Sequence, residues 1–370
     1  MGMVVTYAPG DGDAGEGGLS EHEVAARVAI ARALAALKGF DFGGGYKPSL
    51  RRNGALYFVP SRTLFAEEAR ELGISGEDDL FGGVVPYPFV GNKTIAHPLA
   101  SPDAQRPRGW SDAFAERVRD VVLPGFAAFA REDARAAARV LLAGGEVRIK
   151  RGRGIGGRGQ FVVKDQPELN EAIDSLPEQE LAEHGVVLEP NLTDLTTFSV
   201  GEVRVGELRA SYCGTQKATR DNDGELVYGG SDLLVVRGGY DRLTQLELPP
   251  QARTAIQQAQ AFDAAAAEFP GLIASRRNYD VLRGRDAQGR WHCGVLEQSW
   301  RIGGASGPEV EALAAFRADE RLRAVHARST EAYDADAPVP AGAIVHFRGV
   351  DSRAGPITKY TVVEPHERAI

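Results

Sequence analysis

The stretch Lys150-Arg-Gly-Arg-Gly-Ile-Gly-Gly-Arg-Gly159 constrains this chain more than any other. Five glycines are interleaved there with three arginines and a lysine, with Glu146-Val-Arg-Ile before and Gln160-Phe-Val-Val after. Glycine admits φ > 0 and lets backbone approach a ligand closely, while arginine and lysine supply fixed donors. Gly152-x-Gly154-x-x-Gly157 and Gly154-x-Gly156-x-x-Gly159 both satisfy the dinucleotide fingerprint, but that fingerprint needs a helix after its last glycine. Here a β-forming run follows instead. A Gly-x-x-x-x-Gly-Lys-Ser/Thr loop is absent as well. Strand, basic glycine loop, strand describes a lid that folds over phosphates.

The remaining composition narrows the partners. A net charge of −8 over 370 residues argues against a nucleic-acid surface, and no aromatic residues interleave with the arginines of the loop. The two cysteines, Cys213 and Cys293, make neither a disulfide framework nor a zinc cluster, and read as buried small residues. The seven histidines show no metal spacing and read as structural or surface positions. With no 18-residue apolar run and no leader pattern, the expectation is a cytoplasmic protein without a membrane anchor.

Along the chain, Val4–Tyr7 predicts a strand, and Ser20 with Glu23 forms a capping box for a helix that Gly39 stops. Ala55–Val59 predicts a strand, Thr63–Leu72 a helix, and Gly83–Tyr87 a third strand. Alternation of this kind indicates an open α/β unit with a largely parallel sheet. Pro98–Arg108 is a polar connection, followed by alanine-rich helices at Ser111–Leu123 and Arg131–Leu142. After the glycine loop come a helix from Pro167, a strand at Val186–Glu189, and antiparallel strands at Phe198–Val205, Glu207–Gly214 and Leu226–Val236. Lys217, Arg220 and Asp221 fall in the intervening loop. Next are a helix at Pro250–Phe269, a hairpin at 279–301, a helix from Pro308 to Ala332, and strands near 343–349 and 358–363. Expected domains are 1–97, 98–195 and 196–370.

The hairpin carries a second signal. With Gln288-Gly289 as its tip, the partner of residue i is 577 − i, so Asp280 faces Glu297, Asn278 faces Ser299 and Arg276 faces Arg301. All six side chains then lie on one face. Opposed carboxylates destabilise a sheet unless something compensates, and an all-oxygen set suits magnesium. A shifted register with two solvated acids is the alternative.

Glycine hairpin, strand ending in Glu189, and acid hairpin ending Glu297-Gln-Ser-Trp-Arg-Ile-Gly-Gly-Ala-Ser306 occur in the order of the ATP-grasp superfamily, which residues 85–310 resemble. The resemblance implies an α/β (α+β) fold with an N-terminal open α/β domain, a small α+β lid and an antiparallel-sheet C-terminal domain, with ATP between two sheets. It places Lys93, Lys150, Gly156, Gly157, Arg158 and Gly159 on the phosphates. Glu189 to Leu192 becomes the hinge beside adenine, and Asp280, Glu297 and Ser299 hold Mg2+ or Mn2+. Arg301 is implied at the acyl phosphate or the substrate carboxylate. Apart from the resemblance, Lys217 in the 214–224 loop and Arg276 of the Arg276-Arg277 pair are candidates for the transferred phosphate or the substrate, with a solvated turn and a solvent-facing arginine as the alternatives. The chain departs from the pattern at Ser299, where asparagine is common, at Thr196-Thr197, where a ribose-binding acid is usual and Asp194 is the replacement, and at Pro190, which lacks a backbone donor.

The expected activity is an ATP-dependent ligase, activating a small-molecule carboxylate as an acyl phosphate for attack by an amine or another nucleophile. A kinase or carboxylase, or a catalytically weak nucleotide-binding regulator, is the alternative. A homodimer is the default assembly.

Overall fold

A computed structural model of the protein describes residues 2–8, 19–154 and 159–366. The N-terminal part is a parallel three-stranded sheet of β1 (Met3–Tyr7), β2 (Asp41–Gly45) and β3 (Leu56–Pro60), in the order β2-β1-β3. Between β1 and β2 runs α1 (Glu21–Lys38). Its start is held by Glu23, whose Oε2 accepts from the Ser20 backbone N–H at 2.9 Å, and Gly39 at φ 66° ends it. Strands β4 (Leu64–Phe65) and β5 (Gly83–Val85), with α2 (Ala66–Leu72) beside them, begin a second small sheet. The expected helix at 63–72 is therefore shorter, and β2, rich in glycine, has no counterpart in the sequence reading.

Two 3-10 turns and α3 (Asp112–Val118) lead into the lid. It contains β6 (Phe126–Ala128), α4 (Arg131–Leu142), β7 (Val147–Arg151), β8 (Gln160–Val163), α5 (Gln166–Asp174), α6 (Glu178–His184) and β9 (Val186–Pro190). The strands form an antiparallel sheet in the order β6-β9-β7-β8. Alternation along β7 sends Val147 and Ile149 into an alanine- and leucine-rich core under α4 and α5, and leaves Arg148 and Lys150 on the opposite face.

The rest of the chain builds one large sheet. Its members are β10 (Thr193–Val205), β11 (Leu208–Arg220), β12 (Leu226–Arg237), β14 (Arg276–Arg285), β15 (Trp291–Ser299), β16 (Ala324–Ala332), β17 (Ile344–Asp351) and β18 (Gly355–Pro365). The order is β15-β14-β10-β11-β12-β16-β18-β17, with antiparallel neighbours throughout. A short α7 (Tyr240–Leu243) and α8 (Pro250–Ala266) lie between β12 and β13 (Ile273–Ala274), which pairs with β5 in the small sheet. The large sheet is buried on both faces: Phe198, Val200, Tyr279 and Val281 pack toward α8, whereas Val203, Tyr212, Leu233 and Val235 pack toward α1 and α9 (Ser306–Ala318).

Two expectations fail here. The helix predicted to Ala332 ends at Ala318, and 324–332 is β16. Alanine content favours helix locally, but Val325 and Ala327 alternate inward between β12 and β18, so sheet pairing overrides propensity. Lys217 and Arg220, expected in a loop, lie within β11.

Candidate active site

The carboxylates come first. Asp280 on β14 faces Glu297 on β15, and Asn278 faces Ser299. This is the expected register, reached by a different route. The tip is a three-residue loop closed by Asp286 and Arg290, with Gly289 at φ 75°, and Val281 pairs with Val295. A bulge between the Val281 and Asp280 pairs, absorbing Leu296, restores the register of 577 at the acids. Burial, and next the Glu297 charge, push the Asp280 carboxyl up to about 7, although Gln216 Nε2 donates to its Oδ1 at 2.7 Å. Burial also acts on Glu297, but Lys93, and beyond it Arg301, hold that carboxyl below its ordinary value.

Lys93 is delivered by a staple on the edge of the sheet. Asn92 Oδ1 accepts from the Thr94 N–H at 2.9 Å and opens the 3-10 turn Lys93–Ala96. Gln298, next to Glu297 on edge strand β15, donates from Nε2 to the Val90 and Asn92 carbonyls at 2.8 and 2.7 Å. The fastened turn places Lys93 Nζ 3.1 Å from Glu297 Oε2 and 2.6 Å from the Gly154 carbonyl of the lid loop. One ammonium thus ties the large sheet to the lid.

On the lid side, Lys150 Nζ pairs with Glu189 Oε2, and His97 Nε2 lies 3.0 Å from Glu189 Oε1. Gly125 makes room for this cluster, since a Cβ there would sit 2.6 Å from the Leu188 carbonyl and 3.0 Å from Glu189 Cγ. Burial alone would raise the Glu189 carboxyl, but Lys150 and then His97 hold it down at about 2. Glu189 is therefore an internal counter-ion, with only its backbone left to serve as a hinge. Beside it lies a cavity of about 20 Å³ walled by Leu123, Leu192, Leu282, Pro190, Arg148 and Lys150, with room for about one water-sized group.

Lys93, Lys150, Glu189, Leu192, Asp280, Glu297 and Arg301 thus gather around one cleft between the lid and the large sheet. Burial pushes the Arg301 guanidinium down while Glu297 pushes it up. Ser299 is placed beside Asn278 but turns its Oγ to within 3.5 Å of Arg276 Nη1. Gly159 adopts φ 69° at the end of the glycine loop, as a residue without Cβ allows, and Gly156, Gly157 and Arg158 lie outside the described residues. Asp194 has φ 52° and its Oδ2 is 3.6 Å from Arg285 Nε, at the irregular start of β10.

Two residues assigned to the substrate sit elsewhere. Arg276 is 1% exposed, with Nε 2.7 Å from Glu309 Oε2 and Nη1 donating to the Ser299 and Arg301 carbonyls. It shares a face with Asp280, but α9 covers that end. Lys217 is next to Gln216 on β11 and so turns to the opposite face, exposed, 3.8 Å from Asp232 Oδ2. Gln216, His97 and Arg148 were missed. Gln216 lies in a stretch that reads as loop and so carries no alternation signal, whereas His97 is marked by its position four residues after Lys93.

The oxygen donors fit a divalent cation. Among the described residues no group of three or more His, Cys, Asp and Glu forms a full cage, so an ion here would draw further ligands from water or phosphate, as magnesium does. Among them, too, no helix is long and apolar enough to cross a membrane.

The architecture is shared with solved structures. Phosphoribosylamine–glycine ligase from Thermotoga maritima superposes with a TM-score of 0.54 at 15% identity, covering 99% of this chain and 93% of that one. The biotin carboxylase domain dimer of Hydrogenobacter thermophilus 2-oxoglutarate carboxylase, in complex with MgADP, ADP and bicarbonate, gives 0.51 at 15% identity, covering 98% and 86%. Carboxyaminoimidazole ribonucleotide synthase from Aspergillus clavatus, complexed with ATP, gives 0.50 at 13% identity, covering 97% and 93%. These likenesses define the fold as ATP-grasp. No curated protein matches the sequence. The chain belongs to the family described as "Protein of unknown function (DUF3182)", whose model matches residues 13–361.

Proposed function

We propose that the protein is an ATP- and magnesium-dependent ligase that activates a small carboxylate as an acyl phosphate for attack by an amine or another nucleophile. The observation that supports this most is the facing pair Asp280–Glu297, set across the cleft from Lys150 and bridged to the lid by Lys93. Asp280 and Glu297 would hold the cation, with Ser299 or Asn278 beside them. Bound there, magnesium supplies charge neutralisation on the transferred phosphate. Lys93 and Lys150 would bind the phosphates, each redirected from the carboxylate it neutralises in the free protein. Arg301 would hold the activated carboxylate, and the lid would exclude water from it.

Glu297→Gln tests the reading. Nucleotide binding should lose its magnesium dependence, and ADP release in a screen of paired carboxylates and amines should fall about a thousand-fold, while thermal unfolding stays near wild type. Retained activity would sink the metal assignment. A nucleotide-binding regulator with weak turnover is the second reading, favoured by Ser299, whose hydroxyl lies against Arg276. Magnesium-dependent binding without ADP release across the screen would favour it.

A further inference from the structure

Arg27 interrupts the buried stripe of α1. Glu23, Arg27, Ile30 and Leu34 follow one another at helical spacing, and Ile30 and Leu34 enter the core shared with α9 and the large sheet. Arg27 is 8% exposed, and its Nε and Nη1 donate to nothing among the described residues. Burial pushes its guanidinium down, while Glu23, one turn back, pushes it up. Buried donors left unused cost stability, and a fold keeps them where a ligand uses them. Helical side chains lean toward the N-terminus, so the head of Arg27 lies over the turn of Glu23. That carboxylate is already engaged, its Oε2 accepting from the Ser20 N–H at 2.9 Å and from Ser20 Oγ at 3.0 Å. Glu23 is also exposed, which leaves a way in from solvent beside Arg27.

The start of α1 lies at Arg301. Arg317, near the end of α9, donates to the Ala36 carbonyl near the end of α1 at 2.7 Å, so the helices run side by side. Helix α9 begins at Ser306, just after Arg301. Glu23 accordingly acts on Arg301 as well as on Arg27. Among the described residues the Arg301 side chain makes one hydrogen bond, from Nη1 to the carbonyl of its neighbour Ile302 at 3.0 Å. Glu297 and Asp280 also push Arg301 up, but in the reading above those two hold the cation. Two guanidiniums are then left with Glu23 between them, and Glu23 is tied to Ser20. The charge balance calls for another anion.

We propose that Arg27 is a specificity-determining residue, binding a second anionic group on the acid whose reacting carboxylate Arg301 holds. The substrate is thus a dianion, with a carboxylate or a phosphate as its second group, and not a simple monoacid. This rests on the ligase reading above and adds the charge of the substrate to it.

Calorimetric binding to the full chain with magnesium and ADP tests the inference, with succinate, glutarate, adipate, phosphonopropionate and butyrate as probes. The wild type should bind at least one dianion about ten-fold or more tighter than butyrate, and the tightest identifies the second group. Arg27→Met should erase that preference and leave ADP affinity unchanged. Ligand-free, the same variant should unfold at or above the wild-type temperature, because methionine suits the stripe and leaves no donor unused. A clear fall would make Arg27 a structural arginine and overturn the proposal. Glu23→Gln keeps the capping box and should tighten the dianions several-fold by removing a competing charge. Weaker dianion binding in that variant, or a preference that survives Arg27→Met, also overturns it. A wild type that binds ADP but prefers no dianion to butyrate sinks this inference alone. One that binds no nucleotide sinks the ligase reading and this inference with it.

Discussion

Two charge clusters, one almost wholly buried at Glu189 and one half-buried at Asp280 and Glu297, differ in how their carboxylates are answered. At Glu189 one acid meets Lys150 and His97, and its carboxyl is held at about 2. At Asp280 and Glu297 two acids face each other, with Lys93 reaching Glu297 and only a glutamine amide on Asp280, whose carboxyl rises to about 7. The first cluster is closed, as is Arg276–Glu309 under α9. The second is only partly answered: Lys93 and Arg301 act on Glu297, while burial and the Glu297 charge outweigh the cations acting on Asp280. A fold tolerates an under-compensated acid where a ligand supplies the answer, so the contrast marks the facing pair as the part of the proposed site that calls for a cation.

The closed pairs should fail hardest when broken. Arg276→Met strands Glu309, which is 0% exposed, beside Tyr212, and unfolding free energy should drop about 3–5 kcal/mol in denaturant titrations. Adding Glu309→Leu should recover much of that loss. An Arg276→Met variant of wild-type stability would remove the distinction between closed and open clusters. Next in size is the pH response of Glu189. Its folded value lies below the ordinary 4.5, so its contribution is complete above about 4.5 and disappears as pH falls toward about 2. The loss is about 3 kcal/mol from this one group, and Glu189→Gln should flatten that part of the stability profile. Parallel profiles for the two proteins would mean that Lys150 and His97 do not neutralise it.

Which parts of this contrast can be read from sequence depends on what each signal encodes. Alternation along a hairpin carries the Asp280–Glu297 pairing, and the order of glycine loop, hinge strand and acid hairpin carries the fold. The tip holds three residues rather than two, which lowers the pairing sum by one, and the Leu296 bulge restores it at the acids; a bulge is an extra residue with no composition of its own. Arg276 alternates onto the same face as Asp280, but whether α9 lies over it is a tertiary fact. β16 reads as helix because it continues an alanine-rich run, and β11 beyond Gly214 reads as loop because Ala218 is its one apolar side chain; β16 is strand because β12 and β18 both pair with it, and the end of β11 because β12 does. Arg148 carries no signal of its placement, since Gln160 on β8 and Asn191 after β9 hold it from elsewhere in the chain.

The open cluster should respond with the opposite sign. Asp280→Asn removes one of two facing charges while its remaining Oδ1 can still accept from Gln216, so the ligand-free protein should gain about 1 kcal/mol. The same variant should lose the stabilisation that magnesium with nucleotide gives the wild type, read as a shift in unfolding temperature. A loss of stability in the ligand-free state would place this pair with the closed ones.

Lys217 bounds the comparison from below. It is exposed, turned to the face away from Asp280, and 3.8 Å from Asp232, which makes it a surface ion pair of the weakest kind. Lys217→Ala should change stability by less than about 0.5 kcal/mol and leave magnesium-dependent nucleotide binding unaltered. Gln216→Ala, one residue away on the side facing Asp280, should shift that binding, because it removes the one amide donor on the Asp280 carboxyl. A larger effect at Lys217 than at Gln216 would mean that the cleft extends around to the other face of β11, and the line drawn between the two faces of this sheet would have to move.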